Sequence, residues 1–382
     1  MSEESEIEVF NSIERIPRED WDSVAGETVG LNYMMLLCRE ANYTGLDKPR
    51  YFLVRATDTV MAVGVAVVYS YSKEGLITQR LFGRLSASIK PIIKSLDRSL
   101  VCGRIPGPGA PIVTRPDSDH PHWIRVICRA MEDYASSKNL HMSYTGILPE
   151  QSILSQELKR LGYLQGIDNP VAILDVTWHD QKTYLSELAA RRKKYASTAR
   201  TEIRRFQKSG IRISHWSGNN SAELYELLQS HDEVRNNTGF QFGPKFLDDL
   251  VSRLGNDFIV YVARKATTLV GVCAVFRRNE KALSWLVGIN HAADLGNFTY
   301  FNLAYYYPFS EYPTLGIRRA YFGNAVQYAK YRRGCDIVGA QFFVKFRPSP
   351  LALMLWPIFV MHRFVFTRKF RAILNRGSNT HT

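Results

Sequence analysis

The sequence predicts an α+β fold in two tandem domains of one design, with mixed, mostly antiparallel sheets flanked by helices. Three observations lead there. The chain has 382 residues, too many for one ordinary core and suited to two domains of about 150–200 residues each. A strand–turn–strand pattern occurs twice. The same order of helices and strands follows each copy.

The repeated pattern spans residues 51–70 and 258–277. Each is an apolar, β-branched run, a short polar turn and a second run centred on Val-Gly-Val, at 63–65 and 270–272. Such composition and length predict antiparallel hairpins with mostly buried strands. A glycine inside a strand marks a bulge or a close backbone approach. After the first hairpin, periodicity predicts a helix over Trp123–Lys138, a strand near His141–Gly146, a helix over Ser152–Leu161 and a strand near Ala172–Val176. After the second come a helix over Phe301–Leu315 interrupted by Pro308 and Pro313, and a strand over Ile317–Phe322. A helix around Ala325–Arg332 ending at Gly334 and a strand near Ala340–Phe346 complete that half.

The seam falls near residue 180, giving domains 1–180 and 181–382. From Thr183 a helical stretch, one helix or two, keeps Leu185, Leu188, Tyr195, Ala199, Ile203 and Phe206 in phase, and Gly210 ends it. Between Lys182 and Lys208 there are nine Lys/Arg against Glu187 and Glu202. The net charge of +13 is thus concentrated, and Arg191, Arg192, Lys193, Lys194, Arg204 and Arg205 are candidates for binding a polyanion. A solvated basic surface is the plainer reading of the same residues.

With 45% hydrophobic and 12% aromatic residues, the composition is neither disordered nor collagen-like. The five cysteines are odd in number, scattered and set among apolar neighbours, so neither a disulfide framework nor a zinc site is expected. His231-Asp232-Glu233 lacks metal-ligand spacing, and no metal is expected. The first residues are acidic, the wrong sign for a leader, so the expected location is cytoplasmic.

The order of hairpin, helix, strand, helix ending in Gly-aromatic and final strand resembles that of the GNAT acyltransferases. Residues 184–194 and 204–210 resemble the segment that opens the second domain of tandem-GNAT proteins, the FemAB-like family and a sister acetyltransferase family. Val101–Gly109 resembles their Gly/Pro-rich crossing. Asn324, Tyr328, Lys330, Gly334 and Cys335 resemble the Asn…Tyr…Gly-Phe tail of GNAT helices. The resemblance implies two tandem GNAT-like domains and an amide-forming transfer of an acyl group to an amine acceptor. The donor implied first is a thioester, acyl-CoA or an acyl carrier protein, with aminoacyl-tRNA as the alternative co-substrate, and no cofactor is tightly bound.

One departure matters. CoA-dependent GNAT enzymes carry Gln/Arg-x-x-Gly-x-Gly/Ala, whose backbone amides at a helix N-terminus hold the pyrophosphate. The second copy has no such loop. Arg104-Ile-Pro-Gly107-Pro-Gly109-Ala110 matches literally, but its prolines remove the donors a cradle needs. The missing loop leaves room for a carrier-protein or tRNA donor, and equally for a degenerate, non-catalytic binding module.

Acyl transfer needs a held acyl group, a deprotonated amine and donors for the oxyanion, with a tyrosine or carboxylate to move the proton. The resemblance puts Trp285, His291, Tyr300, Asn302, Tyr305, Tyr306 and Glu311 around the second domain's cleft. The tyrosines fit a buried helix equally well. In Tyr328-Ala-Lys330-Tyr331-Arg332-Arg333, Lys330 takes the register of the GNAT tyrosine. Tyr328, Tyr331 and Glu311 are therefore the catalytic candidates. Trp285, Tyr300, Asn302, Tyr305, Lys330 and Arg333 are the substrate-binding ones, Arg333 as a bidentate donor and Lys330 as a point charge. Charges that offset a helix dipole are the alternative.

Residues 350–366 are apolar and no acid follows Asp336, whereas seven Lys/Arg do. The stretch is too short, and too broken by Pro357, His362 and Arg363, to span a bilayer. An arm packed on the domains and peripheral contact of residues 350–371 with the inner membrane surface are the two readings.

Overall fold

The structure is a computed structural model. It describes residues 5–45, 48–69, 98–103, 111–216, 218, 221–236, 240–323, 325–347, 353–362, 364–365 and 368. Arg104–Ala110 and Asn324, singled out in the sequence, lie outside these. The chain divides into unit 1 (Met1–Leu36, Leu46–Pro170 and Val338–Thr382) and unit 2 (Leu37–Gly45 and Val171–Ile337).

Unit 1 begins with β1 (Ser5–Phe10), α1 (Arg18–Ala25) and α2 (Tyr33–Asn42), the last running into unit 2. The first hairpin is β2 (Lys48–Ala56) and β3 (Thr59–Tyr69), in register from Lys48↔Val68 to Ala56↔Thr59. β4 (Ser99–Cys102), β5 (Ile112–Thr114), α3 (His120–Ser137), β6 (His141–Ile147), α4 (Ser152–Arg160) and β7 (Leu164–Asp175) follow. A Cβ on Gly64 would stand 2.5 Å from Met131 Cε, so the glycine of the first Val-Gly-Val lets α3 settle onto the sheet. Trp123, Ile127 and Met131 on α3 pack there with Phe52, Leu100 and Tyr144.

In unit 2, α5 (Gln181–Lys208) leads to β8 (Arg212–His215), α6 (Ser221–Asn236) and α7 (Phe246–Leu254). The second hairpin is β9 (Phe258–Lys265) and β10 (Thr268–Arg278), continued by β11 (Lys281–Ile289) and α8 (His291–Asp294). The predicted Phe301–Leu315 helix is α9 (Thr299–Phe301), a π-helical turn (Asn302–Tyr306) and α10 (Tyr307–Glu311). Tyr307 N–H reaches back five residues to Asn302 O, and Pro308, with no N–H, comes next. β12 (Arg319–Phe322), α11 (Gln327–Tyr331) and β13 (Asp336–Lys345) close the sequence of elements.

Each unit holds one parallel pair among antiparallel ones, β4 with β6 and β11 with β12. The last strands, however, are exchanged. β13 pairs with β6 of unit 1 (Phe343↔Tyr144, Lys345↔Met142), and β7 pairs with β12 of unit 2 (Ile173↔Tyr321). This corrects the expectation that 181–382 is one domain, because the chain from Val338 onward belongs to unit 1. Alternation along β13 gives the reason. Phe343 joins the Trp123 core, while Phe342, Val344 and Phe346 pack with Leu355 and Phe359.

Candidate functional site

Helix α5 organises the site. Its N-cap, Asp180, accepts from Thr183 N–H at 2.7 Å, and Thr183 Oγ accepts from Asp180 N–H at 3.0 Å, a reciprocal cap. Helical geometry breaks at Arg192 (φ −154°, ψ 67°). There the guanidinium donates to the carbonyl oxygens of Tyr331 and Cys335 and to Asp336, and it lies 3.8 Å from the centre of the Tyr331 ring. Arg191 also pairs with Asp336, at 2.9 Å. Arg192 is thereby tied to the end of α11, a correction to its polyanion role, while Arg191, though paired, stays exposed. Lys193, Lys194, Arg204 and Arg205 remain on the exposed side of α5.

The inner side of α5 carries an acid. Tyr195, Ala199, Glu202 and Phe206 recur at spacings of four, three and four, all buried. Glu202 accepts from Arg333 Nη2 at 2.6 Å and from the Tyr306 hydroxyl at 2.5 Å. Arg333 lies 3.4 Å from the centre of the Phe301 ring and also donates to Ala329 O at 2.7 Å. Burial, then the neighbouring Glu202, push the Tyr306 hydroxyl above its usual value, against the pull of Arg333. Sequence reasoning missed Glu202, although an acid in the apolar phase of a basic helix was the available signal.

This network corrects several candidates. Arg333 is 2% exposed and held by Glu202, so its fork is not presented to a ligand. Asn302 is buried, with its amide donating to Phe298 O (3.0 Å) and Glu202 O (3.4 Å). Tyr305 is buried, its hydroxyl 3.4 Å from that of Tyr300. Tyr305 belongs to the core of unit 2, with Tyr300 packed against it. Glu311 binds His215 Nε2 at 2.8 Å beside β8, and no contact joins it to the α11 residues among the described hydrogen bonds. Trp285 is the extra residue of a bulge, since Ala274 pairs with Leu286 and Val275 with Ser284. Its ring meets Phe242 and Phe246 edge-on at 5.7 and 5.5 Å, a half-buried aromatic cluster.

Two features face outward. An open groove of about 460 Å³ is lined by Ser197, Thr198, Thr201 and Glu202 of α5 with Phe298, Phe301 and Arg332. Arg332 lies 5.5 Å from the Tyr195 ring and 5.8 Å from that of Tyr328, which is exposed, and Arg205 lies 5.7 Å from the Phe298 ring. On the same short helix Lys330 is buried, with Nζ donating to the carbonyl of exposed Gly323 at 2.5 Å. Burial lowers its amine to about 8, so it can take up and release a proton in the neutral to mildly basic range. All five cysteines are buried. Burial raises Cys38 to about 11 and Cys128, Cys273 and Cys335 to about 12, so none of these four is a thiolate nucleophile at neutral pH.

At the N-terminus of α9 the first amide is taken by the protein itself. Asp294, 9% exposed, accepts from Thr299 N–H at 3.2 Å, and Asn290 Oδ1 accepts from Ala293 N–H at 3.1 Å. The N–H groups of Phe301 and Asn302 both reach Phe298 O at 3.1 Å. A carboxylate thus stands where a phosphate cradle would be, and like charge opposes a pyrophosphate there.

Among the described residues no helix is long and apolar enough to cross a membrane. No curated protein matches the sequence. Residues 192–331, from the break in α5 to the end of α11, match the family model described as acetyltransferase (GNAT) domain. Among solved structures, FemX is similar at 9% identity with a TM-score of 0.57, over 91% of this chain and 100% of that one. A conserved protein of unknown function from Bacteroides thetaiotaomicron is similar at 10% identity and a TM-score of 0.50, over 88% and 94% of the two chains. A tandem GNAT protein from the clavulanic acid biosynthesis pathway gives 12% identity and 0.48, over 90% and 98%. The chain thus shares the fold of FemX, and residues 192–331 within it match the acetyltransferase (GNAT) domain model.

Proposed function

We propose that the protein is an amide-forming N-acyltransferase that takes its acyl group from aminoacyl-tRNA. The observation that carries the donor assignment is the Asp294 carboxylate on the first α9 amide, Thr299 N–H, which disfavours a pyrophosphate at that end. The exposed Lys193, Lys194, Arg204 and Arg205 support a polyanionic donor. Their span, twelve helical steps from 193 to 205, is about 18 Å, enough to follow several phosphates of a nucleic-acid backbone. Arg332 and the hydroxyls of Ser197, Thr198 and Thr201 line the groove beside them.

The chemistry asks for little. The acceptor amine attacks the ester carbonyl, a C–N bond forms, and the C–O bond to the terminal ribose breaks. The proton lost by nitrogen ends on the ribose oxygen. Lys330, whose amine is lowered to about 8, supports the role of carrying that proton. Tyr328 and Tyr331, on the same helix, stay in the reading as residues that orient the acceptor.

A second reading keeps a thioester donor, acyl-CoA or an acylated carrier protein. The match of residues 192–331 to an acetyltransferase model favours it. Filter binding of a labelled aminoacyl-tRNA separates the two. The expected affinity falls steeply with salt. Replacing Lys193, Lys194, Arg204 and Arg205 by Glu flattens that dependence by about 0.7–0.9 logarithmic units for each phosphate the protein no longer neutralises. Thermal stabilisation by an acyl-CoA, with no salt-dependent tRNA binding, would contradict the tRNA donor.

A further inference from the structure

Seven of the fourteen exposed large hydrophobic side chains among the described residues lie within residues 353–365. Residues 353–362 form a helix with two apolar sides. At about 100° per residue, Leu355, Phe359 and His362 fall on one side. Leu355 and Phe359 pack against Phe342, Val344 and Phe346 of β13, and the His362 ring lies 5.7 Å from that of Phe342. Leu353, Met354, Trp356, Val360 and Met361 fall on the other half of the circumference, between 47% and 79% exposed, and Phe364 continues that line. The packed side answers the arm reading of this segment, and leaves the outer side unexplained. A cluster of this kind on a water-facing surface marks an interaction site.

We propose that this outer face lies flat on a bilayer surface rich in anionic lipid. No helix among the described residues is long and apolar enough to cross a membrane, so this one would lie in the interface. Charge selects the lipid. No Asp or Glu follows Asp336, and seven Lys/Arg do. Exposed Arg368 lies 4.7 Å from the centre of the Phe364 ring, at the end of the apolar face. Tryptophan, phenylalanine and flanking arginine are the residues that settle at the headgroup boundary. A second copy of the chain is the weaker occupant. Two such faces pressed together would bring the exposed Arg368 of each copy to one apolar seam, like charge against like. The inference is independent of the acyl-transfer reading, since it uses no residue of unit 2.

Co-sedimentation of nuclease-treated, high-salt-washed full-length protein tests it, with vesicles of phosphatidylcholine alone and with about one-third phosphatidylglycerol. The expected result is at least tenfold stronger partitioning onto the anionic vesicles. Trp356→Glu/Phe364→Glu should lose most of it, and Arg368→Glu should lose severalfold, with the circular-dichroism melts unchanged. Equal binding of wild type and the double variant would overturn the proposal. So would a wild-type dimer, seen by light scattering, that the double variant converts to monomer. If the double variant melts early, Arg368→Glu alone decides, because its exposed side chain carries none of the packed side.

Discussion

At the residue scale, Glu202 and Lys330 behave in opposite ways, and both can be tested. Glu202, Arg333 and Tyr306 are buried partners, so losing one leaves a charge or a hydroxyl stranded. Glu202→Gln should cost about 3–5 kcal/mol in denaturant unfolding, and pairing it with Arg333→Met should recover a large part of that. Additive losses would show that the pair is not coupled. Lys330 is held below its usual value, so the unfolded chain binds its proton more tightly than the folded one. Stability should therefore rise with pH between about 8 and 10, by at most about 2–3 kcal/mol, and Lys330→Met should abolish the rise. Buried tyrosines such as Tyr305 and Tyr306, held above their usual values, pull the other way above about pH 10. Reading the sequence singled out Lys330 from its register as a point charge for a ligand, whereas its amine is buried on Gly323 O. It assigned Arg333 to a ligand because nothing local says that an arginine at a helix end will meet an acid 131 positions earlier.

At the scale of elements, the hairpins, α3, α4 and the basic amphipathic helix were legible, because each is fixed by local periodicity and punctuation. Both Val-Gly-Val glycines carry the close approaches their positions implied. A Cβ on Gly271 would fall 2.8 Å from Ile289 Cδ1 and from Leu303 Cδ2. The break at Arg192 was not legible, since it answers to carbonyls at the end of α11. The π-turn was half legible, Pro308 marking the place and not the form. The α9 N-terminus makes a further prediction. Asp294→Ala removes the acceptor for Thr299 N–H and should lower stability by about 1 kcal/mol with an unchanged denaturant slope. A loss under about 0.2 kcal/mol would mean that the carboxylate does not cap those amides.

At the scale of the whole molecule, the exchange of final strands is what the sequence hid. Either copy could end in either strand, because β7 and β13 are both apolar runs after a helix, and pairing across more than 190 residues leaves no local trace. The consequence is mutual dependence. A fragment of residues 1–180 lacks β13, so β6 loses its antiparallel neighbour and Phe343 leaves the core. That fragment should aggregate or melt without cooperativity, while co-expression with residues 181–382 should restore soluble protein. A 1–180 fragment that folds alone with a sharp transition would contradict the exchange. Charge belongs to this scale too. The net +13 pointed to a polyanionic partner as an expectation, but that Arg192 and Arg333 are engaged inside the fold had to await their pairing.

The central claim is a transfer from tRNA to an amine, and single-turnover label transfer tests it most directly. Aminoacyl-tRNA and acyl-CoA carrying the same radiolabelled group would each be mixed with the protein and a panel of amine acceptors. The account predicts that label moves from the tRNA ester into an amide, that high salt suppresses it, and that Lys330→Ala slows it at least tenfold. Label leaving acyl-CoA for an amine while the aminoacyl-tRNA stays intact would contradict it.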